Sequence, residues 1–295
     1  MLLCLSAISP VRFSFQRQQT PSTSPPAIVP EIFNHEACLI DAVPASNRPW
    51  FPYKDEFHLD KPEKQSSSSK VVIASLAEFV EKQMKERFER VVRSRSYSAC
   101  FVAEALDNAG NIAAIFRSAE AFGFQSVHVI TSLTVKGYKG VRRAHRGTER
   151  WLDVEVWNCA KDCIQALRSR GYRIAVTSTG HDTVSICEMD WTIPTAVIFG
   201  NEHEGASDYS TSEADILCGI PMFGMVDSLN VSVAAGILMR HAVCDRIARN
   251  GIHGDLEPEQ QEILMAEFFL RYKRNSADIF SDLAKKRQLD QYRNF

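Results

Sequence analysis

The sequence predicts an α/β domain built on a mainly parallel sheet. Between residues 99 and 250, apolar stretches of strand length alternate with amphipathic stretches of helix length, a pattern typical of parallel sheets. Hydrophobic residues make up 45% of the 295 residues and charged residues 24%, as in ordinary folded domains. We therefore expect one α/β unit with helical extensions at both ends.

The elements follow in order along the chain. A basic amphipathic helix is predicted at residues 76–95, because apolar residues recur there at helical spacing. The predicted strands lie at residues 99–103, 127–131, 152–156, 172–178, 195–199 and 216–220. The other predicted helices lie at residues 112–122, 160–170, 229–250, 258–272 and 277–289.

Composition divides the chain into four parts, at residues 1–70, 71–97, 98–250 and 251–295. The first 30 residues have no Asp or Glu and are rich in Ser, Thr and Pro, which is typical of a transit peptide for a chloroplast or mitochondrion. The alternative is a disordered tail without an address, on a protein of the cytoplasm. The next residues stay polar and Pro-rich, so the first folded residue is expected near Val71.

Overall composition identifies no partner. The chain has 34 basic and 36 acidic residues, a net charge of −2. Its apolar runs are far shorter than the roughly 18 residues of a membrane span, so no membrane partner is expected. The eight cysteines form no Cys-x-x-Cys pair and do not cluster with histidine, which predicts no metal site. Buried free thiols are expected, with a reactive thiol as the alternative.

Three stretches rich in glycine and polar residues follow predicted strands, at residues 107–123, 199–207 and 220–236. Neither a dinucleotide-binding G-x-G-x-x-G nor a P-loop is present. In open α/β sheets, ligands bind at the carboxyl ends of the strands. These three stretches are therefore the expected site.

The first stretch opens a helix. Asn111 is predicted as its N-cap, which would leave free backbone N–H groups for an anion such as phosphate. Arg117 lies six residues further on, and its long side chain could reach back toward the helix start. A plain N-cap with a solvated arginine is the alternative.

The second stretch follows a buried strand. Gly200 and Gly205 permit close approach of the backbone. Glu202 would lie at the strand end, where its carboxylate could accept from an amine or hydroxyl, whereas His203 is expected to be exposed and incidental.

The third stretch leads from a strand into a long helix. Ser228 is predicted as the N-cap of that helix. Its apolar face, with Leu229, Val233, Gly236 and Ile237, indicates either a core or a subunit contact.

Together the three stretches resemble the signature motifs of the SpoU/TrmH branch of the SPOUT RNA methyltransferases. The run P-M-F-G-M-V-D-S-L-N-V-S-V-A at residues 221–234 is the most specific part. The resemblance covers about residues 87–250 and is greatest to the tRNA (guanosine-2'-O)-methyltransferase subgroup.

The resemblance implies a SPOUT fold, with a deep trefoil knot in the C-terminal part of the sheet, and a homodimer formed through the long helix, with Gly236 as a close-approach position. It also implies S-adenosylmethionine as cofactor, bound by loops at residues 177–180, 200–202 and 220–230. The implied cofactor-binding residues are Thr177, Ser178, Gly200, Asn201, Ile220, Met222 and Leu229.

The same resemblance implies the catalytic residues Arg117, Asn111, Glu202, Ser228 and Asn230. A guanidinium is always protonated, so Arg117 is expected to polarise the ribose hydroxyl and grip the adjacent phosphate rather than act as a base. Retention of all five residues argues against an inactive relative.

Local basic clusters would supply the affinity for RNA. Residues 82–95 contain six basic and two acidic residues, residues 136–150 six and one, and residues 271–295 seven and three. Solvated faces are the alternative for each cluster. The predicted RNA-binding residues are Arg87, Arg90, Arg95, Arg142, Arg143 and Arg146.

The expected activity is 2'-O-methylation of a D-loop guanosine in tRNA. Two alternatives remain: ribosomal RNA as the substrate, or a non-catalytic RNA-binding or assembly factor that keeps the knotted fold.

Overall fold

The computed structural model of the chain describes residues 50–58, 66–131, 147–180 and 182–293. The strands are β1 (Phe57–His58), β2 (Ser66–Ser67), β3 (Ala99–Glu104), β4 (Ser126–Ile130), β5 (Asp153–Trp157), β6 (Arg173–Thr177), β7 (Val184–Ser185), β8 (Thr195–Phe199) and β9 (Ile216–Gly219). Strands β3 to β9 form one sheet in the order β5-β4-β3-β8-β6-β9-β7, and every pairing in it is parallel. This confirms the predicted parallel α/β sheet.

Eight α-helices flank the sheet within the described residues. They are α1 (Ser69–Leu76), α2 (Lys82–Arg93), α3 (Ala109–Ala121), α4 (Ala160–Ser169), α5 (Asp208–Ser212), α6 (Val231–Asn250), α7 (Pro258–Tyr272) and α8 (Ser276–Arg293). Short 3-10 helices occupy Ala77–Phe79 and Thr148–Trp151.

Both faces of the sheet are buried. Helices α3 and α6 cover one face, where Phe101, Phe116 and Met239 share a core. Helix α4 covers the other face with Ile164 and Leu167. Burial on two sides explains why the strands read as continuous apolar runs rather than as alternating ones.

The helices before and after the sheet pack together into one terminal helical module, comprising α1, α2, α7 and α8. Its core contains Phe88, Leu264 and Phe268. The single helix predicted over residues 76–95 is wrong, because the chain becomes extended at Val80 and divides the segment in two. The division lets α1 and α2 each pack against α7.

Residues 50–58 also belong to this folded part, contrary to the expectation that folding begins near Val71. Phe57 is buried in the core of the terminal helical module. The Tyr53 hydroxyl donates to Asp153 at the start of β5. The Arg170 guanidinium lies over the Trp50 ring, 4.1 Å from its centroid. Aromatic residues thus order residues 50–58, which lie within a longer segment whose overall composition is polar.

The strand order explains the position of the site. Strands β8, β6 and β9 are neighbours, and β3 lies on the other side of β8. Since parallel strands end at the same edge, the loops after all four strands come together there.

Candidate active site

A line of hydrogen bonds joins the three glycine-rich stretches. The Asn111 side-chain amide donates to Glu202 Oε1 over 2.7 Å. The Asn230 side-chain amide donates to Asn111 Oδ1 over 3.2 Å. Three predicted site residues are therefore in direct contact, although Asn111 is 91 residues from Glu202 and 119 residues from Asn230 in the sequence.

Helix α3 is capped by Asn108 and not by Asn111, so the predicted cap is wrong. Asn108 has extended backbone angles, and its side chain accepts from the Gly110 N–H over 2.8 Å. This leaves Asn111 inside the first turn, where its side chain is free to bond Glu202 and Asn230.

Helix α6 is likewise capped by Asn230 and not by Ser228. The Asn230 oxygen accepts from the Ser232 N–H over 3.0 Å. Ser228 is exposed and makes no hydrogen bond with the described residues. Asn230 therefore has two roles, since its oxygen caps α6 and its nitrogen holds Asn111.

Glu202 is held as a carboxylate. Partial burial by itself would raise its pKa, but hydrogen bonds from the Asn111 side chain and from the backbone N–H groups of Asp107 and Asn108 outweigh that effect. The pKa of Glu202 is therefore lower than its ordinary value of 4.5. Such a group accepts hydrogen bonds at neutral pH and is a weak base.

Arg117 lies on α3, two turns beyond the helix start, and is exposed. It makes no hydrogen bond or ion pair with any residue that the structure describes. Its guanidinium is therefore available for a ligand phosphate or hydroxyl, although the structure does not bring it into contact with the line of Glu202, Asn111 and Asn230.

The predicted cofactor loop at residues 177–180 packs against the end of β9, which leads into the predicted loop at residues 220–230. Thr177 Oγ1 donates to the Ile198 carbonyl over 3.1 Å, and the Ser178 N–H donates to the Cys218 carbonyl over 2.9 Å. A Cβ on Gly219 would lie 2.8 Å from the Ser178 carbonyl oxygen. The chain after β6 and the end of β9 are thus packed at backbone distance.

The loop at residues 220–229 leaves its main-chain groups available for a ligand. Within the described residues, none of its backbone N–H or C=O groups is hydrogen-bonded. Ile220 and Leu229 are half-buried, whereas Met222 is 36%, Phe223 97% and Met225 99% exposed. These residues fit a ligand that is recognised by main-chain groups and apolar contact, as an adenine nucleoside is.

The loop after β8 is closed on itself. A Cβ on Gly200 would lie 2.0 Å from the Ala206 nitrogen, so only glycine fits there. Asn201 and Gly205 exchange both backbone hydrogen bonds, at 2.8 and 2.9 Å. The Asn201 side-chain amide donates to the Ala105 carbonyl and to Asp107. The side chain of Asn201 is thus engaged within the protein, and its contact with the cofactor stays a prediction.

The predicted RNA-binding residues are divided by burial. Arg87 and Arg90 are exposed on α2. Arg95 is fully buried, with its guanidinium 3.2 Å from both the carboxylate and the carbonyl of Glu120. Arg95 is therefore a structural residue, and assigning it to RNA was wrong. Arg142, Arg143 and Arg146 lie outside the described residues.

The long helix α6 has an apolar side that the described residues leave exposed. Val233 is 49% and Ile237 41% exposed. A Cβ on Gly236 would lie 3.7 Å from Ser118 Oγ of α3, an ordinary contact within the chain. The role of Gly236 in close subunit approach stays a prediction.

Two acidic residues at the site were missed in the sequence. Buried Glu104, at the end of β3, accepts from the hydroxyls of Ser207 and Ser210 over 2.7 and 2.9 Å. Asp107 contacts both Asn201 and Glu202. Glu104 could have been predicted, because a carboxylate at the end of a buried strand is unusual and indicates a polar partner. Nothing in the local sequence indicates the partners of Asp107.

Within the described ranges, no three His, Cys, Asp or Glu side chains are grouped so that they could hold a metal ion. No helix in that same part of the chain is long and apolar enough to cross a membrane.

Comparison with known proteins agrees with this geometry. Residues 98–240 match the model of the SpoU rRNA Methylase family. The tRNA (guanosine(18)-2'-O)-methyltransferase of Thermus thermophilus is 31% identical over 62% of this chain and 94% of its own length. The enzyme of the same name from Aquifex aeolicus is 30% identical over 62% and 86%.

A solved structure is also similar. The A. aeolicus TrmH/SpoU tRNA modifying enzyme superposes with a TM-score of 0.54 at 28% identity, covering 63% of this chain and 95% of that one. The chain belongs to the SpoU methylase family. Its class of enzyme is therefore that of the S-adenosylmethionine-dependent RNA 2'-O-methyltransferases.

Proposed function

We propose that this chain methylates the ribose 2'-hydroxyl of a guanosine in the D-loop of tRNA. The observation that carries the proposal is the contact line from Glu202 through Asn111 to Asn230, at the edge where the three loops meet. The names of its relatives, which specify a tRNA guanosine, support the choice of substrate.

Exposed Arg117 supplies the charge that the reaction needs. A ribose hydroxyl is a poor nucleophile and must be oriented and polarised before it attacks a methyl group. Arg117 grips the neighbouring phosphate and polarises the hydroxyl, and the proton leaves to that phosphate or to water. Ser228, exposed in the loop before α6, and the line of Asn111 and Asn230 provide further polar contacts for the ribose.

S-adenosylmethionine, when bound, supplies an electrophilic methyl group. The loop at residues 220–229 and the turns at Thr177–Ser178 and Gly200 would hold it. The main-chain groups of that loop, which no described residue pairs, and the half-buried Ile220 and Leu229 fit an adenosine moiety. Met222, partly exposed in the same loop, would add an apolar contact.

A homodimer and a deep trefoil knot complete the proposal. The open apolar side of α6, with Val233 and Ile237, supports a second copy of the chain as its cover. The crowding of Gly219 against Ser178 supports a tightly packed C-terminal segment of the kind that a knot requires. An experimental chain trace without threading would contradict the knot.

The first 49 residues, outside the described part, are proposed to direct the protein to an organelle. The lack of acidic residues in the first 30 positions, together with Arg12 and Arg17, supports this address. Residues 1–49 fused to a fluorescent protein should enter chloroplasts or mitochondria, and the fusion with Arg12→Glu and Arg17→Glu should not. A cytoplasmic signal from the unaltered fusion would contradict the address.

The substrate is tested with purified protein and methyl-labelled S-adenosylmethionine. Label should enter a tRNA transcript at one D-loop guanosine and should not enter rRNA fragments. Preferential labelling of rRNA would favour ribosomal RNA as the substrate. Cofactor binding without label in any RNA from the organelle would favour a non-catalytic RNA-binding factor.

A further inference from the structure

We infer that Asp107 is a positioning residue of this site: through Asn201, it holds the loop after β8 in the register that presents Glu202 to Asn111. The inference rests on the proposed function, since it deepens the account of the same reaction. Within the described residues, Asp107 makes no hydrogen bond to Asn111 or Asn230.

Asp107 is hydrogen-bonded to two successive residues of the loop after β8. Its carboxylate oxygen Oδ2 accepts from Asn201 Nδ2 over 3.1 Å. Its backbone N–H donates to Glu202 Oε2 over 3.2 Å. The turn after β3 and the loop after β8 are thus joined side by side, directly next to the bond between Glu202 and Asn111.

Asn201 transmits this contact to its own turn. While its Nδ2 donates to Asp107 and to the Ala105 carbonyl, its Oδ1 accepts from the backbone N–H groups of His203 and Glu204, over 2.8 and 3.1 Å. The amide therefore has all its hydrogen-bonding positions in use. A change at Asp107 would reorient the side chain of Asn201, which shapes the turn carrying Glu202.

The fold does not depend on this contact. The start of the loop is fixed by the parallel pairing of β8 with β3 and β6. Its end is fixed by buried Glu104, which accepts from Ser207 and Ser210. Asp107 is exposed, and an exposed hydrogen bond contributes little to global stability. Loss of the contact should therefore change local geometry and rate more than stability, since small displacements lower rates strongly.

The test compares Asp107→Ala, Asn201→Ala and the double variant with Glu204→Ala as matched control. Glu204 is an exposed carboxylate of the same loop whose side chain makes no hydrogen bond with the described residues. We expect Asp107→Ala to lower kcat about tenfold with a nearly unchanged melting temperature, and the double variant to be no slower than Asn201→Ala. Asp107→Asn, which keeps an acceptor oxygen, should recover most of the rate.

Amide hydrogen exchange provides a readout that does not need RNA. The backbone N–H groups of His203 and Glu204 should exchange faster in Asp107→Ala than in the unaltered protein or in Glu204→Ala. Normal kcat and normal exchange in Asp107→Ala, or rate losses that multiply in the double variant, would overturn the inference. A failure of the unaltered protein to label RNA would instead overturn the proposed function, and the exchange result would still decide the role of Asp107.

Discussion

The side chain of Asn230 donates to Asn111 over 3.2 Å while its own oxygen caps helix α6. Asn230 thus couples the start of α6 to the polar centre of the site, which is the hydrogen-bonded line of Glu202, Asn111 and Asn230. The two roles use different atoms of the same amide, so substitution can separate them.

Asn230→Asp should keep the cap and lose the donor to Asn111. We expect kcat for methyl transfer to fall about tenfold while the melting temperature is unchanged, because aspartate caps helices as well as asparagine does. Asn230→Ala should lower both quantities, with a loss of about 1 kcal/mol in the free energy of unfolding. Equal melting temperatures for all three proteins would mean that the cap contributes nothing.

Arg117→Ala should cost about 3 kcal/mol or more of transition-state stabilisation, roughly a hundredfold in rate. The affinity for S-adenosylmethionine should change little, since Arg117 is assigned to the RNA side of the reaction. Single-turnover labelling and calorimetric titration of the cofactor measure the two effects separately. Near-normal turnover of the variant would remove Arg117 from the mechanism.

Glu202 should not titrate near neutral pH. Because the folded state lowers its pKa below 4.5, the stability that ionised Glu202 contributes is fully present above about pH 4.5 and is lost as pH falls through the folded-state pKa. Glu202→Gln should therefore reduce kcat and leave the shape of its pH profile between about pH 6 and 8 unchanged. A limb of that profile that disappears in Glu202→Gln would show that Glu202 acts as an acid or base.

Arg95 and Arg90 should respond to substitution in opposite ways. Arg95→Ala should lower the free energy of unfolding by about 2–3 kcal/mol, because it removes a buried side chain and leaves Glu120 without its partner. Arg90→Ala should leave stability unchanged and reduce the salt dependence of RNA binding by about one phosphate contact. Thermal denaturation and filter binding at several salt concentrations distinguish the two. Loss of RNA affinity without loss of stability in Arg95→Ala would restore its predicted role.

Ile237→Glu should convert the proposed dimer into a monomer in sedimentation experiments, because a charge in a covered apolar face is strongly unfavourable. Ile193→Glu is the matched control. Ile193 is 39% exposed, close to the 41% of Ile237, but lies before the amino end of β8. A dimer that survives Ile237→Glu, or one that is lost equally in the control, would mean that α6 is not the interface.

Six of the nine described strands could be predicted closely from sequence, whereas the two-residue strands β1, β2 and β7 were not predicted. The strand predicted at residues 195–199 coincides with β8, and the helix predicted at residues 258–272 coincides with α7. Stretches such as these are buried on two sides or carry strong start signals, so local sequence is sufficient. The division between α1 and α2 was not predictable, because it depends on packing against α7, far along the chain.

The polar centre of the site was harder to predict. Asn108 and Asn111 are equally good caps by composition, as are Ser228 and Asn230, and only tertiary partners decide between them. The contact between Glu202 and Asn111 joins residues 91 positions apart, so no local pattern contains it. The burial of Arg95 could not be predicted for the same reason. Its neighbours Arg87, Arg90 and Arg93 are exposed, and its partner Glu120 lies on helix α3.

The most direct measurement uses two tRNA transcripts that differ in a single oxygen atom. One carries the D-loop guanosine that the purified protein labels, and the other carries 2'-deoxyguanosine at that position. We expect methyl label in the first tRNA and none in the second, with both tRNAs bound equally well. Equal labelling of the two tRNAs would contradict a ribose 2'-hydroxyl as the methyl acceptor.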